Sequence, residues 1–321
     1  MKRAVVVGCN YTGSTSELNG CIQDMANHIK LLIDLGYKRN EITILTDAPI
    51  GPRNNMISPT YNRIDPEMAK IIFDSKQVDQ FPPILKPTEF NYKKAVIDAI
   101  LTKDIDGNYI TQFAMIYTGH GGGIRDRNND ENDGQDECVY LMNNMGSYDW
   151  KGCTDDVISD TIVSAYTRNT RRMNRELTIY AIYDSCHSGT IMDLPTQLII
   201  QNAAVTKCSN QKTKYDGLKN LTVVCISGCL DNETSGEGSI NGKYSEGFLS
   251  YNYQLVIRRR LTDKNYPCDL YQMVNDMATE VYRISDGKQN ISLSLKINEA
   301  IVQTRPIESL RSIQYCLGKK R

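Results

Sequence analysis

The stretch YAIYDSCHSGT at 180–190 sets Cys186 between an Asp-Ser pair and a His-Ser-Gly turn, directly after a run of apolar and β-prone residues. A buried structural cysteine is a small hydrophobe and needs no polar groups on both sides. A nucleophilic thiol does need them, because the thiolate is the reactive species and polar neighbours stabilise it. It also needs a base. The chain holds three histidines, His28, His120 and His187. His187 follows Cys186 directly, and adjacent side chains at a strand end point apart. His28 lies on the flank of a helical apolar stripe and reads as a partly buried helix residue. His120 sits in a glycine-rich turn, YTGHGGG at 117–123. It is the candidate to take the thiol proton and later return it to a leaving group. The glycines leave backbone amides uncovered, which suits a passing substrate backbone or an oxyanion. Read singly, the histidine could close a tight turn and the cysteine could be packing. GHGGG lacks both the Lys-Ser/Thr ending of a phosphate loop and the spacing of a dinucleotide fingerprint.

The fold must bring these two motifs together. Each ends a β-prone run, FAMIYTG at 113–119 and LTIYAIYDS at 177–185. In a parallel sheet the carboxyl ends of the strands share one edge, where open α/β sheets place their sites. Further strands are expected at KRAVVVG (2–8), EITILT (41–46) and LTVVCISG (221–228). Leu18, Ile22, Met25, Ile29 and Leu32 recur at helical spacing within 18–35. Similar patterns lie near 88–102, 154–169, 190–207, 245–260 and 267–282. Strands apolar on both faces, each followed by a helix, predict an α/β fold with a mostly parallel sheet covered by helices on both sides. Residues 50–87 carry Pro52, Pro59, Pro66, Pro82, Pro83 and Pro87 and read as a long insertion with one short helix at 65–75. Residues 124–153, rich in Asp, Asn and Gly, read as a loop. With no repeat and no linker, residues 1–321 read as a single domain.

Composition narrows the class. A net charge of −1 over 321 residues argues against nucleic-acid binding, which shows as a basic excess. No apolar run approaches a membrane span, and Ala4–Val7 is too short for a signal peptide. The ten cysteines are scattered, with no CxxC pair and no His/Cys cluster for zinc. Reduced thiols in the cytoplasm are the simplest account.

Taken together, YTGHGGG, DSCHSG (184–189) and SGCLDNETS (227–235), with the opening GCNYTGSTSELNGCIQDM (8–25), resemble the metacaspases. These are cysteine peptidases with a caspase-like fold, a three-layer sandwich. The resemblance covers residue 2 to about 295, leaving out 50–87. It implies that Cys186 is the nucleophile, that His120 is its partner, and that backbone amides around Gly121 and Cys186 hold the oxyanion. It also implies cleavage of protein or peptide substrates after Arg or Lys. Asp184, two residues before the nucleophile on the same side of a strand, and Asp24, one turn from Cys21 on the first helix, could bind a guanidinium bidentately. The family pattern places Cys21, Asp24, Thr118 and Asp184 in that pocket. From the residues alone, Asp184 could instead cap a helix or turn, and Asp24 could lie on a solvated helix face.

The resemblance also implies calcium as a regulatory ion, held by Asp136, Asp155, Asp156 and Asp193. The acid-rich 126–137 segment does not fit an EF-hand. No N-terminal prodomain is expected, and by resemblance the protein is a monomer. Self-cleavage within 201–220, which carries Lys207, Lys212 and Lys214, fits the same pattern. Ser185 and Thr118 stand where the family favours Cys and Ser, and QNISLS (289–294) lacks the proline of the family's corresponding stretch. Two rival readings stay open: a caspase-fold peptidase with a different pocket preference, and a non-proteolytic scaffold with a vestigial site.

Overall fold

The computed structural model describes residues 1–51, 54–73, 80–126, 134–143, 150–168, 170–201, 204–210, 212–239, 244–263, 265–266 and 269–297. In chain order the elements are β1 (Lys2–Gly8), α1 (Cys21–Asp34), β2 (Ile42–Thr46), α2 (Pro66–Ile72), α3 (Glu89–Leu101), β3 (Gln112–Thr118), β4 (Gly121–Arg125), β5 (Gln135–Met142) and β6 (Trp150–Thr154). Then come α4 (Asp155–Thr167), α5 (Thr170–Met173), β7 (Leu177–Asp184), β8 (Thr196–Gln201), β9 (Ala204–Asn210) and β10 (Leu221–Ser227). The chain continues through β11 (Glu237–Gly238), β12 (Glu246–Gly247), α6 (Phe248–Thr262), α7 (Leu270–Ile284) and β13 (Ser292–Lys296).

Eight strands form the central sheet in the order β2-β1-β3-β7-β10-β13-β8-β9. The first five are mutually parallel, and the last three add antiparallel. The period of two along a strand sends alternate residues to opposite layers. Ala4 and Val6 of β1 pack with Ile22 and Met25 of α1, Leu249 of α6 and Met273 of α7. Val5 and Val7 pack with Val96 of α3 and Ile162 of α4. Burial on both faces is why these strands read as unbroken apolar runs. The helices start at polar caps: Thr88, Thr154 and Asp269 each accept a backbone N–H with their side chains at α3, α4 and α7. At the N-terminus of α6 the capping residue is Gly247, which has no side chain to offer.

Two expectations fail. Residues 124–153 are not simply a loop: β4, β5 and β6 form a separate three-stranded antiparallel sheet. Cys138, Val139, Leu141 and Met142 are buried in it. The polar stretches 127–133 and 144–149, which lie outside the described residues, masked this signal in the sequence. The helix expected at 190–207 is instead the antiparallel hairpin β8–β9, with a register shift at Ile199/Ile200. Leu198 and Ile200 are buried against the sheet. A short apolar run fits helix and strand alike, and here the open edge of β13 decided. The sheet is mixed and mostly parallel, as the sequence pattern implied, with five parallel strands extended by three antiparallel ones. Among the described residues of 50–87 lies one short helix, α2, started by Asp65 and Pro66.

Candidate active site

His120 follows β3 and Cys186 follows β7, and these strands are parallel neighbours whose last paired residues are Thr118 and Asp184. That register places both motifs side by side at the carboxyl edge of the sheet. Leu18, Cys21, Asp24, Gly119, His120, Asp184, Ser185, Cys186, Ser235, Gly236, Glu237 and Gly247 line one cavity of about 110 Å³. The two loops touch: a Cβ added to Gly121 would collide with the carbonyl oxygen of Cys186. Only glycine permits that approach.

His120 is held from several sides. Its backbone N–H donates to the Tyr11 hydroxyl at 2.7 Å, and its carbonyl accepts the Tyr117 hydroxyl at 2.8 Å. The Tyr11 ring lies against the imidazole, with centroids 4.5 Å apart. The imidazole Nε2 lies 2.7 Å from the Ser16 carbonyl oxygen. A carbonyl only accepts, so Nε2 carries the proton and Nδ1 keeps the lone pair a base needs. The Cys186 thiol is half-buried, with Sγ 3.8 Å from the Ser235 carbonyl oxygen. Burial pushes the thiol above its ordinary range, a backbone hydrogen bond at Ser235 opposes this, and the Asp184 charge adds to it. Such a thiol is protonated at neutral pH and needs a base before it can attack.

The acids sit deeper. Asp184 is 6% exposed; its Oδ1 accepts the Ser235 hydroxyl at 2.6 Å and its Oδ2 accepts the Ser250 N–H at 2.8 Å. Asp24 is 1% exposed, and its Oδ2 accepts the Gly247 N–H at 2.9 Å. Both carboxylates therefore satisfy the first turn of α6, taking the place of the missing side-chain cap. The capping alternative for Asp184 is real, and it coexists with a position in the cavity. A solvated face for Asp24 is ruled out by its burial. Asp24 Oδ1 is buried and has no hydrogen-bond partner among the described residues. Burial raises the Asp24 carboxyl well above the ordinary range, and the Asp184 charge adds to this. Burial also raises Asp184, against the pull of its hydrogen bonds to Ser235 and Ser250. Gly247 fits between the two acids, since a Cβ there would strike Asp184 Oδ2 and lie 3.2 Å from Asp24 Oδ2.

Thr118 and Gly121 do not line the cavity. The Thr118 hydroxyl donates to the Cys21 carbonyl at 2.8 Å, which fixes the start of α1 from behind. The other histidines are occupied elsewhere. His187, with φ of 48°, hydrogen-bonds through Nδ1 to the Asp231 carbonyl. His28 is fully rather than partly buried, with Nε2 3.1 Å from the Ser250 hydroxyl, and burial drives it down to about 3.

The caspase domain family profile matches residues 1–300. The chain belongs to the caspase domain family. Its fold agrees with a crystal structure of a Geobacter sulfurreducens protein at a TM-score of 0.51 and 18% identity, over 95% of this chain and 98% of that one. It is similar to Metacaspase-1A of Neurospora crassa, at 32% identity over 60% of this chain and 33% of that protein. It is also similar to Metacaspase-1 of Yarrowia lipolytica, at 27% identity over 80% and 55%, and of Schizosaccharomyces pombe, at 25% over 80% and 60%. The caspase domain thus spans from a third to about 60% of the length of these relatives.

A second acidic region of this caspase domain lies beside the loop after Cys186. Asp136, Asp155 and Asp193 are buried. Asp155 accepts the Glu137 N–H at 2.9 Å, and Asp193 accepts the Ser159 hydroxyl at 2.8 Å. Burial, then the Asp193 charge, push the Asp155 carboxyl up to about 10, against its bond to the Asp156 amide. Asp156 instead pairs with Lys214, which also reaches Asp160 at 3.0 Å. Hard oxygen donors suit calcium. Among the described residues, however, no three acidic, histidine or cysteine side chains converge closely enough to hold a metal ion.

Sequence reasoning missed several residues of the caspase domain's cavity. Glu237 accepts the Asn19 and Gly20 N–H groups at 3.2 and 2.9 Å and closes one side of it. Ser235 was in view within SGCLDNETS, but its bond to Asp184 was not. Tyr11, Gly247 and Ser250 carry no local signal, because their roles arise from contacts more than sixty residues away.

Proposed function

We propose that the caspase domain is a cysteine endopeptidase that cleaves after Arg or Lys. One observation carries this reading: a buried carboxylate oxygen without a partner among the described residues, Asp24 Oδ1, belongs to a residue lining the same cavity as the half-buried Cys186 thiol. A guanidinium brings five N–H donors, or an ammonium three, and a positive charge to that oxygen and to Asp184. The scissile carbonyl that follows such a residue then lies at the sulfur. His120 takes the thiol proton at Nδ1, and the thiolate attacks the carbonyl carbon. The tetrahedral oxyanion is bound by backbone amides around Gly121 and Cys186. On collapse the imidazolium gives its proton to the leaving amine, and water hydrolyses the thioester through the same histidine.

Calcium would act as a regulatory ion. Asp136, Asp155, Asp156 and Asp193 are the proposed ligands, and the mutual repulsion of Asp155 and Asp193 supports a bound cation. Its chemistry would be charge neutralisation beside the Cys186 loop. As arranged, Lys214 holds Asp156, so it would have to release that carboxylate. Self-cleavage after a lysine in 201–220 belongs to the same reading. We further propose a cytoplasmic monomer. The described cysteines Cys9, Cys21, Cys138, Cys153, Cys186, Cys225 and Cys229 are free, and no helix among the described residues is long and apolar enough to cross a membrane.

The test incubates purified protein with fluorogenic peptides ending in Arg, Lys or Asp, with and without calcium, beside Cys186→Ala. Cleavage after Arg or Lys that disappears in the variant is the expected result. Cleavage after Asp points to a different pocket preference, and no cleavage under any condition points to a scaffold.

A further inference from the structure

Gln289 lies in the connection between α7 and β13, outside the cavity, and is 1% exposed. Its side-chain amide is fully engaged. Oε1 accepts the Gly236 N–H at 2.8 Å, and Nε2 donates to the Gly228 carbonyl at 2.6 Å and to the Ser235 hydroxyl oxygen at 3.2 Å. A backbone N–H can only donate and a carbonyl can only accept, so these partners fix which end of the amide is oxygen. The consequence passes on to Ser235. Its oxygen accepts from Gln289, which leaves its own hydrogen to be donated to Asp184 Oδ1, 2.6 Å away. The direction of the whole chain, Gln289 to Ser235 to Asp184, is then set from outside the pocket.

The same amide ties down both ends of the connecting loop. Gly228 directly follows β10, and its N–H donates to the Tyr183 carbonyl at 2.7 Å, next to Asp184. Ser235 presents its carbonyl to Cys186 Sγ, and Gly236 lines the cavity. Asn290 reinforces the grip, donating its N–H and its side-chain amide to the Glu233 carboxylate at 2.9 and 2.6 Å.

We propose that Gln289 is a positioning residue for this site: its amide holds residues 228–236 so that Ser235 donates its hydroxyl to the Asp184 carboxylate and keeps its backbone against the Cys186 sulfur. This rests on the reading of Asp184 as a pocket acid for Arg or Lys. A donated hydrogen bond favours the ionised carboxylate over the neutral one. Without Gln289 the Ser235 hydroxyl is free to turn away, and Asp184 then ionises only at higher pH. Cationic substrates are lost first at the acidic side of the activity range. Because Ser235 also touches the sulfur, the pH at which the thiol ionises should move in the same variant.

The experiment compares wild type, Gln289→Leu, Ser235→Ala and the double variant, as the full chain. Readouts are kcat and KM on an Arg peptide across pH, thermal stability, and the pH midpoint of Cys186 alkylation by iodoacetamide. The expected result for Gln289→Leu is a KM raised about 10-fold near neutral pH, the size of one lost hydrogen bond to a charged group. The acidic limb of 1/KM should shift upward by about one unit, and the alkylation midpoint should move away from that of wild type. Since both residues act through one chain, the double variant should be no worse in KM than the more impaired single variant. Lower stability with unchanged KM, pH limb and alkylation midpoint would make Gln289 merely structural, and additive KM effects would break the chain. If Gln289→Leu does not fold, Gln289→Glu, which keeps an acceptor for Gly236 and loses the donor to Ser235, replaces it with the same expectations. Wild type that cleaves neither Arg nor Lys peptides removes the pocket reading, and the alkylation midpoint then decides the Gln289 role alone. Wild type that cleaves after Arg, with all readouts unmoved in the variant, removes only the Gln289 role.

Discussion

Replacing Asp184 with Asn separates the fold from the pocket. The substitution keeps shape and removes one charge. Oδ1 and Oδ2 of Asp184 each receive a hydrogen bond, from Ser235 at 2.6 Å and from Ser250 at 2.8 Å. An asparagine can preserve both: its carbonyl accepts from Ser250, and its NH₂ donates to the Ser235 oxygen once that hydroxyl turns. The carboxyl is raised by burial, so the neutral form is the one the interior favours. Asp184→Asn should therefore match or exceed wild type in Tm at pH 7. Cleavage should behave in the opposite way. Breaking a buried ion pair by removing one partner costs about 3–5 kcal/mol. Asp24 still faces the substrate cation, which argues for the lower end. About 3 kcal/mol corresponds to a loss of roughly 100-fold in kcat/KM, since about 1.4 kcal/mol is tenfold. The assay is steady-state hydrolysis of an Arg peptide, with iodoacetamide alkylation of Cys186 as a check that the site is assembled. A rate within threefold of wild type, from a variant that still alkylates, would refute the placement of Asp184 in the pocket and with it the electrostatic argument.

Other perturbations test other links. Gly121→Ala should lower kcat by at least about 100-fold, because its Cβ meets the Cys186 carbonyl and must part the two loops; peptide kinetics at matched folded fraction would show it. Asp24 and Asp184 are both raised, so the charged pocket fills out only as pH rises through their shifted values. KM for an Arg peptide should therefore fall with rising pH, and a KM flat from pH 5 to 8 would contradict this. His28 is buried and lowered to about 3 from an ordinary 6.5. The unfolded chain takes up that proton first, so the His28 contribution to stability is whole above about pH 6.5 and is lost as pH falls. Compared with His28→Gln by urea unfolding, wild type should lose about 2–3 kcal/mol more between pH 7.5 and 4.5.

Much of this was readable from local pattern. Runs such as KRAVVVG and LTIYAIYD are apolar on both faces, and that alone required a sheet covered by helices. The count of histidines and the polar setting of Cys186 singled out His120 as its candidate partner. Strand register then put the pair on one edge, as strand-end motifs in a parallel sheet demand. The β8–β9 hairpin was not legible, because TQLIIQ suits a helix or a strand and only the free edge of β13 chose between them. The sheet of β4, β5 and β6 was hidden for a related reason: its short strands are separated by polar stretches that look like one loop.

The sequence by itself determined which atoms could react: one thiol with polar flanks, one imidazole among glycines, and an acid two residues before the thiol. Tertiary structure decided what those atoms experience. It turned Asp24 from a face that looked solvated into a buried acid at the start of α6, left one of its oxygens unpartnered, and set Gly247 between it and Asp184. It also gave His120 its tautomer through a carbonyl at Ser16, and gave Asp184 a donor whose direction traces back to Gln289. Residue type and spacing travel with the chain. Desolvation and hydrogen-bond direction belong to contacts between distant segments, and these exist only once the chain has folded.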